Sequence, residues 1–192
     1  SVVRKTRGAW DERLGKIQFF LPDEELSQYL NAFLPYQIRA SRLEMRAGFY
    51  QSGGAYGFRD QLQDMLPLVY TEPERVRAHL LRCASRQYLE GDVQHWWHPG
   101  GAGVRTRISD DLFFLPYVTA RYVYVTGDEE ILFCRVPYLR SEPLRKEEHD
   151  RYESPARSRF REPLYYHCTR AIEVSLHFGS HGLPLMGGGD WN

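Results

Sequence analysis

The glycines of this chain are clustered, and the clusters divide it into blocks whose apolar residues recur at helical spacing. Apart from Gly8 and Gly15 near the start, glycines crowd residues 48–57, 91–103 and 179–189, with Gly127 alone between. Within the blocks, Leu26, Leu30, Phe33 and Leu34 share one helical face, and Val76, Leu80, Cys83, Ala84 and Tyr88 share another. Leu164, Cys168, Ala171, Ile172 and Leu176 repeat the pattern a third time. No segment sustains a period of two, so the chain is expected to be all-α with few strands.

The blocks have recognisable ends. Residues 1–22, with Val2-Val3, Trp10 and Ile17-Gln18-Phe19-Phe20, are expected to form an extended arrival segment ahead of a helical domain over 23–192. Asp23 caps the first helix, with Glu24 and Glu25 complementing its dipole, and Pro35 kinks or restarts it on the way to Arg46. Further helices are expected over 58–70, 74–88 after Pro73, and 109–126, where Ser109 caps and Gly127 stops the chain. A short helical piece over 129–134 and a last helix from Pro163 towards Gly179 complete the set. Gly48–Gly57 reads as a loop, Glu90–Ile108 as an unusually long irregular loop, and Pro137–Glu162 as a solvated excursion. Helices joined in this way form either a solenoid or a closed ring of helix pairs, of which five or six helices are about half.

Composition narrows the partners. Lys plus Arg and Asp plus Glu both number 25, so no net field draws the chain to nucleic acid or an anionic membrane. A neutral ligand suits that balance. The aromatic fraction is 14%, which supplies core volume and also flat faces for sugars or bases. Cys83, Cys134 and Cys168 show no C-x-x-C spacing, so a reducing compartment is expected, with neither a disulfide framework nor a zinc site. No apolar run approaches the roughly 20 residues that span a bilayer, and no membrane contact is expected from this chain itself.

Two glycine-rich stretches carry the chemistry. In Tyr56-Gly57-Phe58-Arg59-Asp60-Gln61-Leu62-Gln63-Asp64 a helix starts at Gly57, so Asp60 and Asp64 share a face one turn apart, beside Arg59. Carboxylates and guanidinium forks bind adjacent sugar hydroxyls because each offers two parallel acceptors or donors. The bland alternative is a helix-start acid and a plain salt bridge. The second stretch, Gly187-Gly188-Gly189-Asp190-Trp191-Asn192, joins bare backbone to the acid Asp190, the stacking ring of Trp191 and an amide. His95-Trp96-Trp97-His98 is a hydrophobic plug with polar edges, a binding platform or a metal pair; two His with no third ligand nearby are poor zinc evidence. Asp110 and Asp111 are most simply a helix start, and His167, His177 and His181 surface or core residues. No serine nucleophile elbow, phosphate-cradling Walker loop or dinucleotide fingerprint is present.

At these motifs the chain resembles glycoside hydrolase family 94, the inverting glycoside phosphorylases. Leu34-Pro35-Tyr36-Gln37, Phe49 to Asp64, Arg105 to Asp111 and His181 to Asn192 carry the likeness, which covers nearly the whole chain. Its Gly-Gly-Gly-Asp-Trp-Asn version is most similar to the branch containing the cyclic β-1,2-glucan synthases. The resemblance implies about the first half of an (α/α)6 barrel, a fold that a β-sandwich domain precedes in the family. It also implies that Arg59, Asp64 and the competing Asp60 hold the glycosyl unit, with Trp191 beside the acid and Asp190 in the same motif.

In the family pattern the general acid is the aspartate following Asp-Trp-Asn, here directly after Asn192, so no catalytic residue is expected in this chain and it is expected to be inactive alone. Phosphate attacks the anomeric carbon while that acid protonates the departing oxygen, giving α-glucose 1-phosphate with inversion. An inverting hydrolase needs a second carboxylate to activate water, whereas phosphate arrives anionic and needs positioning. The implied partners are a β-glucan oligosaccharide and inorganic phosphate as co-substrate, with no cofactor, no metal and no nucleic acid. A homodimer of the complete protein and a cytoplasmic location, or the cytoplasmic face of an inner-membrane protein, are also implied. If the gene ends at Asn192, the alternative is a non-catalytic helical carbohydrate-binding or interaction module.

Overall fold

The structure is a computed structural model that describes residues 1–44, 54–185 and 187–188, without the side chains of Arg42 and Tyr56. Contacts divide the chain into two compact units, Ser1–Ser52 and Gly53–Asn192. Among the described residues, no helix is long and apolar enough to cross a membrane.

The first unit begins with a helix where an extended segment was expected. α1 (Val2–Leu14) is capped by Ser1, whose hydroxyl accepts from the Arg4 N–H, and none of its residues is buried. Its sequence therefore carries no apolar stripe to announce it. Trp10 on α1 meets Tyr36 edge to face at 4.8 Å, and Arg13 reaches Glu44 at 3.6 Å. After α1, the amide of Asn31 holds Phe19 on both sides, accepting from its N–H at 2.7 Å and donating to its carbonyl at 2.8 Å.

Asp23 caps α2 (Glu24–Gln28) as expected, accepting from the Leu26 N–H at 2.9 Å. Helical backbone then runs to Glu44, with α3 (Leu34–Ile38) flanked by wider π turns at Tyr29–Phe33 and Arg39–Glu44. Pro35 accounts for the first of these. It has no N–H for the bond four residues back and its ring crowds that carbonyl, and the neighbouring Leu34 N–H reaches five residues back to Tyr29.

The second unit has a helical core with sheets against it. α4 (Phe58–Met65) passes through a 3-10 turn at Pro67–Tyr70 into α5 (Pro73–Ala84). α6 (Asp110–Thr126) is the central element, packing against α4, α5 and α7 (Leu164–Ser175). Phe58, Leu62, Leu80, Leu115, Val118, Leu164 and Ala171 fill the space between the four helices and are fully buried. α6 ends where expected, at Gly127 with φ of 71°. A 3-10 turn at Glu129–Phe133 follows, capped by Asp128.

The all-α expectation leaves out six strands found among the described residues. β1 (Tyr56–Gly57), β2 (Gln94–Trp97), β3 (Gly103–Thr106) and β5 (Asp150–Glu153) form an antiparallel sheet in the order β1-β2-β3-β5. β4 (Arg135–Arg140) pairs antiparallel with β6 (Ala156–Pro163). The long loop expected over 90–108 is thus a hairpin, and the excursion expected over 137–162 holds most of three strands. Both sheets are irregular, with register breaks between Gln94 and Trp96 and between Pro137 and Leu139. These breaks interrupt the alternation by which a strand is recognised in sequence.

Candidate functional site

The starts of α4 and α6 lie together. Arg59, in the first turn of α4, donates from Nη1 to Asp110 Oδ2 at 2.5 Å, and its guanidinium carbon lies 5.6 Å from the centroid of the Phe114 ring. Its Nε is buried and has no hydrogen-bond partner among the described residues. The hydrogen bond to Asp110 raises the Arg59 pKa above its ordinary value; burial opposes this, and the charges of Asp110, Asp60 and Asp111 add to it. Arg59 is therefore a permanent cation. Asp60 and Asp64 are half-buried on the same helix.

Asp111 is buried beside Asp110 and serves a different partner, with its Oδ2 2.6 Å from His95 Nδ1. The two tryptophans of the hairpin point to opposite faces. Trp97 is buried against Phe58 at 6.3 Å and lies under Arg86, whereas Trp96 joins His98 and Tyr152 in a partly exposed cluster. The plug reading therefore holds for Trp97 alone. Among the described residues, no group of three His, Cys, Asp or Glu is arranged to hold a metal ion.

Gly187 and Gly188 meet the chain at the start of the same helix. Ser109 stands at the cap position of α6, but its hydroxyl makes no capping bond and instead accepts from the Gly187 N–H at 3.1 Å. Ile108 and Gly188 form a parallel bridge. A Cβ on Gly187 or Gly188 would lie 3.1 or 3.3 Å from the Arg107 carbonyl oxygen, tight enough to favour glycine at this approach. Asp190 and Trp191 lie outside the described residues.

Beside this junction is a cavity of about 590 Å³, bounded by residues 105–109, the end of α7, Leu185 and Gly187. One wall is charged, with Arg105 between Asp92 and Glu90, and Leu112, Leu144 and Leu185 supply apolar surface.

The structure thus joins Arg59 to Asp110 and, on the next residue of α6, Asp111 to His95, with the charge of Asp60 acting on Arg59. Sequence reasoning treated Asp110 and Asp111 as a helix start and left His95 with three readings. It gave Arg105 no role of its own, and the only signal was an arginine followed by Thr106 and Arg107 ahead of two acids.

A helical unit with carboxylates, an arginine and a close glycine approach at one helix start has the equipment of a carbohydrate-active protein. The catalytic-domain model of the glycosyl hydrolase 94 superfamily matches residues 9–192, and the chain belongs to this family, in agreement with the resemblance carried by its motifs. It is 42% identical over 194 residues to the cyclic β-(1,2)-glucan synthase NdvB of Rhizobium meliloti (strain 1021), covering all of this chain and 7% of that protein. It is 23% identical over 196 residues to the 3-O-β-D-glucopyranosyl-β-D-glucuronide phosphorylase of Paenibacillus borealis, covering all of this chain and 23% of the relative. The N,N'-diacetylchitobiose phosphorylase of Vibrio proteolyticus is 25% identical over 213 residues, with 95% of this chain and 24% of the relative covered. The chain spans at most about a quarter of the length of these relatives.

Proposed function

We propose that the protein carrying this chain cleaves or remodels β-glucosidic bonds by inverting phosphorolysis, with β-1,2-glucan as the favoured substrate and α-glucose 1-phosphate as the product. The observation that carries this reading is the meeting of the two motifs at the start of α6, where Arg59 bonds to Asp110 and Gly187 bonds to Ser109. The names of the relatives, a glucan synthase and two phosphorylases, support it. The adjoining cavity falls in the usual range for ligand pockets, about 300–1,000 Å³.

In this reading Arg59, Asp60 and Asp64 hold the hydroxyls of the glycosyl unit to be transferred. Asp190 and Trp191 contribute an acceptor and a stacking face. Arg59 enters as a fixed donor, and the carboxylates accept from hydroxyls in a partly buried setting where each bond is worth more than in water. Phosphate attacks the anomeric carbon, that bond forms as the glycosidic C–O bond breaks, and the departing oxygen takes its proton from the aspartate that follows Asp-Trp-Asn in the family pattern. In the same reading the chain forms part of an (α/α)6 barrel, and the complete protein is a homodimer in the cytoplasm or on the cytoplasmic face of the membrane.

The test is phosphate-dependent release of glucose 1-phosphate from β-1,2-glucooligosaccharides by the complete polypeptide. Release is expected from the unaltered protein, and Arg59→Ala and Asp64→Ala should impair sugar binding more than folding. No release from any β-glucan would overturn the proposal.

A further inference from the structure

Two adjacent carboxylates open α6, and they serve partners from different elements. Asp110 accepts from Arg59 on α4, and Asp111 meets His95 on β2. Successive helical residues project about 100° apart, so one carboxylate turns to each neighbour. Arg59 is thereby gripped from α6 rather than from its own helix, with Asp110 on one side and Phe114, one turn further along α6, on another. The side chains of Arg59 and Asp110 are 29% and 46% exposed, so their ion pair contributes little to stability. Its effect is on direction. The His95 and Asp111 side chains, by contrast, are 14% and 2% exposed, a nearly enclosed contact that ties the first turn of α6 to the hairpin.

We infer that Asp110 and the His95–Asp111 pair are positioning residues for Arg59, Asp110 directly and the pair by fixing the turn from which Asp110 and Phe114 project. The inference rests on the reading that Arg59 contacts the sugar. A long, flexible side chain held in place before the ligand arrives loses less freedom on binding. The hairpin is then part of the sugar site without touching sugar.

The Nε–H of Arg59 is buried and makes no hydrogen bond among the described residues, so its NMR resonance in the complete polypeptide, labelled in this segment, reports where the guanidinium sits. That resonance is identified by its loss in Arg59→Lys. Asp110→Asn and His95→Leu should shift or broaden it, and His95→Asn, which places an amide N–H where Nδ1 stands, should restore it. In the complete polypeptide, Asp110→Asn and His95→Leu should raise KM for the β-glucan about tenfold with a smaller change in kcat, consistent with loss of one charge-assisted hydrogen bond.

An Arg59 resonance unmoved in Asp110→Asn would overturn the direct role, and one unmoved in His95→Leu the indirect role. Should His95→Leu not fold, Asp111→Asn asks the same question with an isosteric side chain. If the resonance moves as expected but the unaltered polypeptide handles no β-glucan, the positioning stands and the sugar reading falls.

Discussion

The guanidinium of Arg105 meets the carboxylate of Asp92 edge to edge, with Nε 2.6 Å from Oδ2 and Nη2 2.7 Å from Oδ1, and the Tyr88 ring centroid lies 3.9 Å from its central carbon. Nη2 also reaches Glu90 at 2.9 Å, and Nη1 donates to Ser141 and to the Glu142 carbonyl. Arg105 is only 1% exposed. It links β3 to the segment before β2 and to the residues just after β4, and forms part of the charged wall of the cavity. Arg105→Leu leaves two carboxylates without their cation and should destabilise the chain by about 3 kcal/mol. Arg105→Lys should recover only part of this, because an ammonium cannot match both oxygens of Asp92. Urea unfolding followed by tryptophan fluorescence measures both.

His167 gives the stability a dependence on pH. It is fully buried, with Nδ1 2.8 Å from Gln87 Oε1, Nε2 3.1 Å from the Val136 carbonyl, and its ring stacked on Tyr138 at 4.0 Å. Burial pushes its pKa down from 6.5 to about 4, against the opposing effect of the Val136 carbonyl. The folded state therefore favours the neutral ring. This contribution is present above pH 6.5 and is lost as the pH falls towards 4, at about 1.4 kcal/mol per pH unit within that window. His167→Gln should flatten this part of the curve of unfolding free energy against pH. A curve unchanged by the substitution would count against the assignment.

Gly103 sits where no side chain fits. A Cβ there would lie 2.1 Å from the Trp96 carbonyl oxygen and 2.8 Å from Trp97 Cα, both backbone atoms of the facing strand. Gly103→Ala should force β2 and β3 apart, at a cost on the order of 1–3 kcal/mol. The loss should appear as a lower melting temperature together with a change in tryptophan emission, since Trp96 and Trp97 lie on the displaced strand.

The three cysteines should differ in reactivity. Cys83 and Cys168 are buried and Cys134 is partly exposed. Burial pushes the Cys168 thiol up to about 11, so little of it is thiolate at neutral pH. An aromatic disulfide reagent at pH 8 should modify one thiol rapidly in the folded chain and all three in urea. Cys134→Ser should remove the rapid phase.

Periodicity in the sequence marked α5 and α7 because each buries a single stripe, such as Val76, Leu80 and Cys83 on α5, whereas α6 was marked by its ends, Ser109 with two acids and Gly127. It missed α1 because that helix buries no residue and depends on Ser1 and local propensity. The hairpin was hidden for the opposite reason. Trp97 packs inward and Trp96 packs into a cluster of its own, so both faces of β2 are aromatic and no alternation shows. In β4 and β6 the register shift after Pro137 and the exposed Arg157 and Arg161 obscure the buried Val136, Tyr138 and Leu139.

The site was legible in the same uneven way. Arg59 and Asp60 stand in a local motif, and the fall of Asp60 and Asp64 on one face follows from helix geometry. The pairing of Arg59 with Asp110 spans 51 positions, and that of His95 with Asp111 spans 16. Such pairs are fixed by how α4, α6 and the hairpin pack, and a single sequence holds no local sign of that packing.

The start of α6 also sets an order of assembly. Its partners arrive from 51 positions before it, at Arg59, and from 78 positions after Ser109, at Gly187. Closing loops of that length costs entropy before any contact repays it. The four helices can collapse on their own apolar faces well before the last glycines reach Ser109. As the chain leaves the ribosome, the grip on Arg59 can form once α6 has emerged, but the junction with Ser109 waits for Gly187. The glycine approach to the start of α6 is therefore completed only after most of the hydrophobic core of the four helices is in place.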